Sequence, residues 1–249
     1  MRRLITIFCG LLFMGLALAI PAEAQKISKE NIESQGKSRT YYLLVPEKPT
    51  KENPAPLLVV LHGSNRNGLS LVEKWKDLAV KEGIFLVGPD AIDSGSWNIP
   101  QDGPDFLHDL ISDLNAKYPI DRRRIYLFGH SAGAVFALYM SLHESEYFAA
   151  TAIHAGLLPR EAYPAIDLAK RKIPIYIVVG TVDPFFPLGG VRATRDALNQ
   201  QGFAVQLTEI KGHDHWYYDL APKINADAWA FLKQQKLTDD PRYTHYTFK

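Results

Sequence analysis

The sequence is poor in cysteine, in net charge and in repeats. Among its 249 residues there is 1 cysteine, Cys9, and 28 basic residues nearly balance 27 acidic ones, for a formal charge of +1. Because the basic residues do not cluster on one face, nothing favours nucleic acid or an anionic membrane as a partner. Without repeats, low-complexity tracts or internal linkers, the chain is expected to form one domain with a substantial core.

One long apolar run stands at the N-terminus. Two arginines precede an apolar stretch over residues 4–20, and Ala22-Glu23-Ala24 forms a small-x-small cleavage pattern. These features predict a signal peptide over residues 1–24 and a secreted or periplasmic protein. The alternative is an uncleaved anchor, but the run is short for a membrane span and Pro21 ends it. After cleavage we expect no stable membrane association and, because Cys9 is removed, no thiol or disulfide.

The rest of the chain alternates short apolar runs with amphipathic segments. We predict strands at residues 27–33, 40–45, 57–61, 84–87, 124–128, 148–153, 175–179 and 204–210, and helices at 71–81, 106–118, 134–143, 191–201 and 218–235. Strands that alternate with helices indicate parallel βαβ units, so the expected class is α/β, a mostly parallel sheet flanked by helices. The domain is predicted to span 25–235, with a polar and aromatic tail at 236–249. The loop at 157–172 is too short for a large cap domain.

The most informative motif is Gly129-His130-Ser131-Ala132-Gly133, which lies between a predicted strand and a predicted helix. Strand, G-x-S-x-G and helix form the nucleophile elbow of α/β-hydrolases. The sharp turn forces the central residue into a strained conformation, and the flanking glycines remove bulk where strand and helix meet. Ser131 is therefore expected to stand at a helix N-terminus, where a developing negative charge is stabilised. The alternative is a plain Gly/Ser turn.

Two further polar positions follow predicted strands, at the sheet edge where ligands bind in open α/β folds. Asp183 comes after the strand at 175–179, and His213 and His215 come after the strand at 204–210. Serine, then acid, then histidine is the chain order of α/β-hydrolase triads. We assign Ser131 and Asp183 to the triad, with His215 as the preferred base and His213 as the alternate. A capping role for Asp183 is the alternative.

An oxyanion hole needs two N–H donors. The Ala132 amide at the start of the elbow helix is one candidate, and the Ser64 amide, in the loop after the strand at 57–61, is the other. Four aromatic residues on loops at the same edge are candidates to line the substrate pocket: Trp97, Phe185, Phe186 and Trp216. Each of them could instead fill the core.

Several segments resemble known esterases. The stretch at 105–133, together with Leu61-His-Gly63 and Gly180-Thr-Val-Asp183, resembles secreted esterases of the polyhydroxybutyrate depolymerase and feruloyl esterase group. Gly212-His-Asp-His-Trp-Tyr-Tyr218 is similar to the closing segment of esterase D-type S-formylglutathione hydrolases, and this similarity places the catalytic histidine at His215. The resemblance implies an α/β-hydrolase fold, carboxylic ester hydrolysis, and no cofactor; we assign no metal ligand.

The expected activity is hydrolysis of small-molecule esters by a serine esterase. The chain departs from the depolymerases by lacking cysteines near the oxyanion loop and by ending in only a short tail after residue 235, so soluble short-acyl or aryl esters are expected rather than a solid polymer. The alternatives are a serine peptidase or an acyltransferase with the same triad, and a non-catalytic binding protein on the same scaffold.

Overall fold

Eight strands form one sheet in the computed structural model, which describes residues 25–244. In chain order they are β1 (Ser28–Ser34), β2 (Lys37–Leu44), β3 (Ala55–Leu61), β4 (Phe85–Pro89), β5 (Ile120–His130), β6 (Ala150–His154), β7 (Ile175–Gly180) and β8 (Val205–Ile210). Their order across the sheet is β1-β2-β4-β3-β5-β6-β7-β8. The pairs β1–β2 and β2–β4 are antiparallel, and the other neighbours are parallel. The predicted signal peptide, Cys9 and the last five residues lie outside the described range.

The central strands are buried on both faces, which explains why their sequences are continuous apolar runs. In β3, Leu57 and Val59 point into one hydrophobic core, whereas Leu58 and Val60 point into the other. Successive side chains of a strand alternate between faces, so each central strand contributes to two cores at once. The loops at the ends of these strands are therefore attached to a sheet that is packed on both faces.

Six helices cover the two faces within residues 25–244: α1 (Gly68–Glu82), α2 (Pro104–Lys117), α3 (Ala132–His143), α4 (Pro164–Leu168), α5 (Leu188–Gln200) and α6 (Tyr217–Leu232). α1 and α6 pack together on one face, and α2, α3 and α5 contribute to the core on the other. None of these helices has the length and apolarity to cross a bilayer.

The segment at 157–172, predicted as a loop, contains a 3-10 turn (Arg160–Ala162) and the short helix α4. Pro164 occupies the first turn of α4, where a missing N–H costs no hydrogen bond. These two elements lie next to each other, and α4 packs against α3. The segment therefore contains no cap domain, in agreement with its length.

The described part of the predicted tail lies against the domain. Leu237 is buried and its amide donates to the carbonyl of Arg123 at 3.0 Å. Tyr243 stacks on His108 with ring centroids 3.9 Å apart, and its hydroxyl donates to Asp105 at the start of α2. The chain after α6 is thus fastened to β5 and α2, away from the carboxyl ends of the strands.

Candidate active site

Ser131 stands at the turn between β5 and α3. Its φ of 57° and ψ of −120° lie in a region that residues other than glycine rarely adopt. The turn is held because the Ser131 amide donates to the carbonyl of His154 at 3.1 Å, while the Ser131 carbonyl accepts from the amides of Ala134 and Val135. The strained residue is therefore fixed by the strand beside it and by the first turn of the helix after it.

The two glycines of the motif are required by sterics. A Cβ at Gly129 would come within 2.2 Å of the Gly133 carbonyl oxygen, and a Cβ at Gly133 would come within 2.0 Å of the Leu61 carbonyl oxygen. Real Cβ atoms do not approach so closely, so any larger residue would push α3 away from β5 or β3. The glycines thus place Ser131 at the carboxyl end of the sheet beside the loop that follows β3.

The structure brings Ser131, His215 and Asp183 into one hydrogen-bonded series. The distance from His215 Nδ1 to Asp183 Oδ2 is 2.9 Å, and the distance from His215 Nε2 to Ser131 Oγ is 2.9 Å. Because a carboxylate can only accept, Nδ1 carries the proton and Nε2 accepts the Ser131 hydroxyl. This arrangement can transfer the proton of Ser131 to the imidazole when the hydroxyl attacks an electrophile.

Asp183 is held on both sides of its carboxylate. Oδ1 accepts from the amides of Phe185 and Phe186 at 2.8 and 2.9 Å, which leaves Oδ2 for the imidazole. The residue is 6% exposed. Asp183 therefore caps the following turn, and the same carboxylate also binds His215. Both roles considered from the sequence, the turn cap and the partner of the histidine, apply together.

The loops that carry the acid and the imidazole are joined through their backbones. The amide of Val182 donates to the His213 carbonyl at 3.1 Å, and the Gly212 amide donates to Thr181 Oγ1 at 2.9 Å. A Cβ at Gly180 would come within 2.0 Å of the same His213 carbonyl oxygen. The Gly-Thr-Val-Asp segment thus needs its glycine so that the loop after β7 can lie against the loop after β8.

His213, the alternate base, lies on the other side of this loop. Its Nε2 is 3.2 Å from Nε2 of His154, and Nδ1 of His154 is 3.0 Å from Nδ1 of His130. The side chain of His213 makes no hydrogen bond to Ser131 or Asp183 within residues 25–244. The two histidines of the loop therefore have separate environments: His215 faces the serine, and His213 completes a row of three imidazoles beneath it.

Burial keeps the inner part of this row neutral. Burial and, to a smaller extent, the nearby His215 lower the pKa of His130 to about 3. Burial and the neighbouring imidazoles lower the pKa of His154 to about 2. The ring of His130 also lies 5.0 Å from that of His215, tilted by 35°. A neutral, packed surface therefore supports the face of the His215 ring.

Ser64 and Ala132, the proposed oxyanion donors, both line the cleft that contains Ser131. Ala132 begins α3, so its amide has no acceptor within the helix. Within residues 25–244 the amide of Ser64 also donates to no protein group. The loop is braced by His62, whose Nδ1 donates to the Gly63 carbonyl at 2.9 Å and whose Nε2 accepts from the amide of Ala91 at 3.1 Å. Both amides are thus available to a bound oxyanion.

The cleft has a volume of about 480 Å³ and a mostly aromatic rim. Phe185 is 70% exposed and Trp216 is 46% exposed, and both line the cleft as expected. Trp97 does not line it. Its Nε1 donates to the His62 carbonyl at 2.9 Å and its ring stacks on Phe136, so it supports the oxyanion loop from below.

The lining includes residues that the sequence interpretation did not assign to the pocket, among them Arg66 and Tyr218. Arg66 follows the Ser64-Asn65 turn, and its guanidinium lies over the rings of Trp216 and Tyr218. The only signal in the sequence is the position of Arg66 two residues after Ser64. Its partners come from the start of α6, about 150 residues later in the chain.

Part of the chain, including the candidate site, matches the sequence model of a known family. Residues 98–221 match the sequence model of the family described as Phospholipase/Carboxylesterase. The matched segment begins before α2 and contains Ser131, Asp183 and His215. The match supports the expected enzyme class, a carboxylic ester hydrolase.

Proteins of similar sequence include some that are named as esterases. The protein named "Putative esterase NocK" of Nocardia uniformis subsp. tsuyamanensis is 27% identical over 184 residues, which cover 68% of this chain and 52% of that protein. The bifunctional acetylxylan esterase/xylanase XynS20E of Neocallimastix patriciarum is 29% identical over 153 residues, covering 60% of this chain and 22% of that protein. The chain thus spans about half the length of the first relative and a smaller share of the second.

Solved structures show the same fold. A thermostable esterase aligns with a TM-score of 0.70 and 24% identity over 84% of this chain and 63% of its own. The fluorophosphonate-binding serine hydrolase FphF of Staphylococcus aureus aligns with a TM-score of 0.71 and 15% identity over 84% of this chain and 99% of its own. A ferulic acid esterase aligns with a TM-score of 0.67 and 15% identity over 84% of this chain and 98% of its own. The predicted α/β-hydrolase fold is confirmed.

Proposed function

We propose that this protein of the α/β-hydrolase fold is a serine esterase that hydrolyses soluble short-acyl or aryl carboxylic esters. The observation that carries the proposal is the series Asp183–His215–Ser131, with both hydrogen bonds at 2.9 Å, opening into a cleft with two available amides. The family match over residues 98–221 supports ester hydrolysis. No step requires a group beyond the chain's own residues and water.

In the first half of the reaction Ser131 becomes acylated. Its Oγ attacks the ester carbonyl carbon while its proton passes to Nε2 of His215, and Asp183 stabilises the imidazolium through Nδ1. The negative charge that forms on the carbonyl oxygen is held by the amides of Ser64 and Ala132. The carbon–oxygen bond to the alcohol then breaks, and the alcohol leaves with the proton from His215.

In the second half a water molecule releases the acid. His215 takes a proton from water, the hydroxide attacks the acyl carbon, and the same two amides hold the oxyanion. The bond to Ser131 Oγ breaks, and the serine recovers its proton from the imidazolium. The products are one carboxylic acid and one alcohol, and the enzyme returns to its starting state.

The shape of the cleft supports small substrates. Its volume of about 480 Å³ falls in the range of small-molecule sites. Phe185, Phe186 and Trp216 provide flat apolar walls for an acyl chain or an aromatic ring. The segment at 157–172 adds no cap over the cleft. Short-acyl and aryl esters therefore fit this site better than long lipid chains, and the resemblance to feruloyl esterases agrees with aryl esters.

The test combines covalent labelling with turnover. The wild-type protein is expected to react with a fluorophosphonate probe and to hydrolyse p-nitrophenyl acetate, p-nitrophenyl butyrate and methyl ferulate. Ser131→Ala is expected to lose both the label and the turnover while its circular dichroism stays unchanged. An unlabelled wild type without turnover on the whole panel would contradict the proposal.

A serine peptidase is the second candidate, because a stretch of 111 residues is 31% identical to the proline iminopeptidase of Lactobacillus helveticus, covering 43% of this chain and 36% of that enzyme. An amide bond would be attacked by the same series of side chains. Comparing p-nitrophenyl esters with aminoacyl p-nitroanilides separates the two candidates. Turnover of the anilides without turnover of the esters would reverse their order.

We also propose that the protein is secreted or periplasmic, on the pattern of residues 1–24. N-terminal sequencing of protein exported by the native host is expected to begin at Gln25. A mature protein that retains Met1 or Arg2 in the cytoplasmic fraction would contradict this.

A further inference from the structure

Arg66 is placed where it can meet a substrate. It lies in the loop between β3 and α1, two residues after Ser64, and lines the same cleft as Ser131. The centre of its guanidinium is 5.5 Å from the ring centroid of Trp216 and 5.2 Å from that of Tyr218. Cation–π attraction to these two rings favours side-chain conformations that keep the exposed guanidinium at the rim of the cleft.

No acidic side chain among the described residues neutralises the charge of Arg66. Within residues 25–244 its guanidinium forms no ion pair and no hydrogen bond, although the chain contains well-paired arginines elsewhere, such as Arg39 with Asp102 and Arg192 with Glu209. The part of the cleft that the structure describes includes no aspartate or glutamate among its lining residues. Arg66 is therefore a permanent cation in a cleft whose lining contains no acidic residue to neutralise it.

We propose that Arg66 determines specificity by binding a carboxylate carried by the ester substrate, so that the preferred substrates are esters with a free acid group. The inference rests on the proposed esterase function and names a substrate class for it. A planar guanidinium offers two parallel N–H donors to a carboxylate, and the exposed guanidinium of Arg66 makes no hydrogen bond to residues 25–244 that would occupy those donors. The same rings provide apolar contact for the body of the substrate.

A purely structural role makes a different prediction. If Arg66 served only to orient Trp216 by stacking, its removal would lower the hydrolysis of charged and neutral esters by the same factor. If it binds a carboxylate, its removal changes the ratio between them. A lysine at position 66 keeps the charge but loses the planar fork, so it separates the contribution of the charge from that of the two parallel N–H donors.

The experiment uses two matched pairs of esters. In the first pair the acyl half carries the charge: mono-p-nitrophenyl adipate is compared with methyl p-nitrophenyl adipate, in which the free acid is a methyl ester. In the second pair the alcohol half carries it: para-acetoxyphenylacetate is compared with its methyl ester. We measure kcat/KM for wild type, Arg66→Gln, Arg66→Lys and the control Lys74→Gln. The ammonium of Lys74 lies 5.9 Å from the centroid of the Tyr218 ring, but Lys74 does not line the cleft.

The wild type is expected to prefer the charged member of at least one pair by about fivefold, a preference that falls with added salt because exposed charges are screened. Arg66→Gln should bring that ratio to about one, Arg66→Lys should retain part of it, and Lys74→Gln should leave it unchanged. Ratios near one in the wild type, or a preference that survives in Arg66→Gln, would overturn the inference while leaving ester hydrolysis intact. No turnover of any of the four esters would instead contradict the proposed function.

Discussion

A cavity lies at each end of the parallel strands, and the larger of the two contains none of the residues that we assign to the reaction. At the amino ends a cavity of about 600 Å³ lies among prolines and charged surface residues, including Lys48, Lys81 and Glu47. At the carboxyl ends the cleft of about 480 Å³ contains Ser131, His215 and two available amides. Cavity size therefore does not identify the site. What distinguishes the carboxyl edge is a nucleophile, a base and donors that converge on one point.

The backbone differs between the two edges in the same way. Gly83, at the amino edge, has a φ of +70° but no atom within 4 Å of its missing Cβ. Gly133 and Gly180, at the carboxyl edge, would each place a Cβ 2.0 Å from a carbonyl oxygen of another segment. Gly83 is needed only to end helix α1, whereas Gly133 and Gly180 are needed so that separate backbone segments can pack against each other. Close packing of the backbone at the carboxyl edge fixes the positions of the reacting side chains relative to one another.

The largest expected effect separates the two edges by activity. His215→Ala removes the only side chain that contacts both Ser131 Oγ and the Asp183 carboxylate in the described structure, so we expect kcat/KM for p-nitrophenyl butyrate to fall by about 10⁴-fold or more. Lys48→Ala, in the amino-edge cavity, should change it by less than about twofold. Comparable losses in both variants would remove the distinction between the edges.

The local parts of this site could be predicted from the sequence. Ser131 and Asp183 each follow a buried apolar strand, and the ends of parallel strands meet at one edge, so their proximity follows from strand prediction alone. The glycines of the elbow were likewise predictable, because a strand that turns directly into a helix leaves no room for Cβ atoms. The structure brings these residues together in the way that this reasoning implies.

The remaining parts depend on contacts that a linear pattern does not contain. His213 and His215 follow the same strand, and which of them faces Ser131 depends on the left-handed turn at Gly212 and on the loop after β7. Trp97 was expected in the pocket because its loop lies at the correct edge, but a hydrogen bond to His62 holds it beneath. The aromatic partners of Arg66 come from a distant segment of the chain, which the residues around Arg66 do not reveal.

A second prediction compares glycines at the two edges. Gly133→Ala forces α3 away from β3, and we expect it to lower the free energy of unfolding by about 3 kcal/mol, the cost of overpacking a rigid contact. Gly83→Ala has free space around the new methyl group and pays only for the left-handed backbone, about 1 kcal/mol. Urea denaturation followed by circular dichroism measures both. Equal losses would show that the close approach of α3 and β3 is not restrictive.

A third prediction concerns the loss of stability in acid, which should arise from two buried histidines at the carboxyl edge, His130 and His154. The pKa of His130 is lowered to about 3 and that of His154 to about 2, so below the ordinary value of 6.5 the unfolded chain binds protons that the folded chain does not. The free energy of unfolding therefore decreases as the pH falls from 6.5. Lowering the pH to about 5.5 should cost about 1 kcal/mol for each group, about 2 kcal/mol in total.

The control for this pH effect is His154→Gln, which keeps a hydrogen-bonding side chain between His130 and His213 but removes one titrating group. The loss of stability over the same pH interval should fall to about half in this variant, as measured by urea titrations at each pH. A wild-type stability that does not change over this interval would contradict the neutral, buried state of the two rings.

The smallest expected effect tests the two histidines of the loop against each other. His213→Ala leaves Nε2 of His154 without its protein partner, which should lower the free energy of unfolding by about 1 kcal/mol. The His213 carbonyl still accepts the Val182 amide, so the loop keeps its place and kcat/KM should fall by less than about fivefold. If His213→Ala instead abolished turnover while His215→Ala retained it, His213 would be the base. The row of imidazoles would then be part of the proton-transfer path and not a support beneath it.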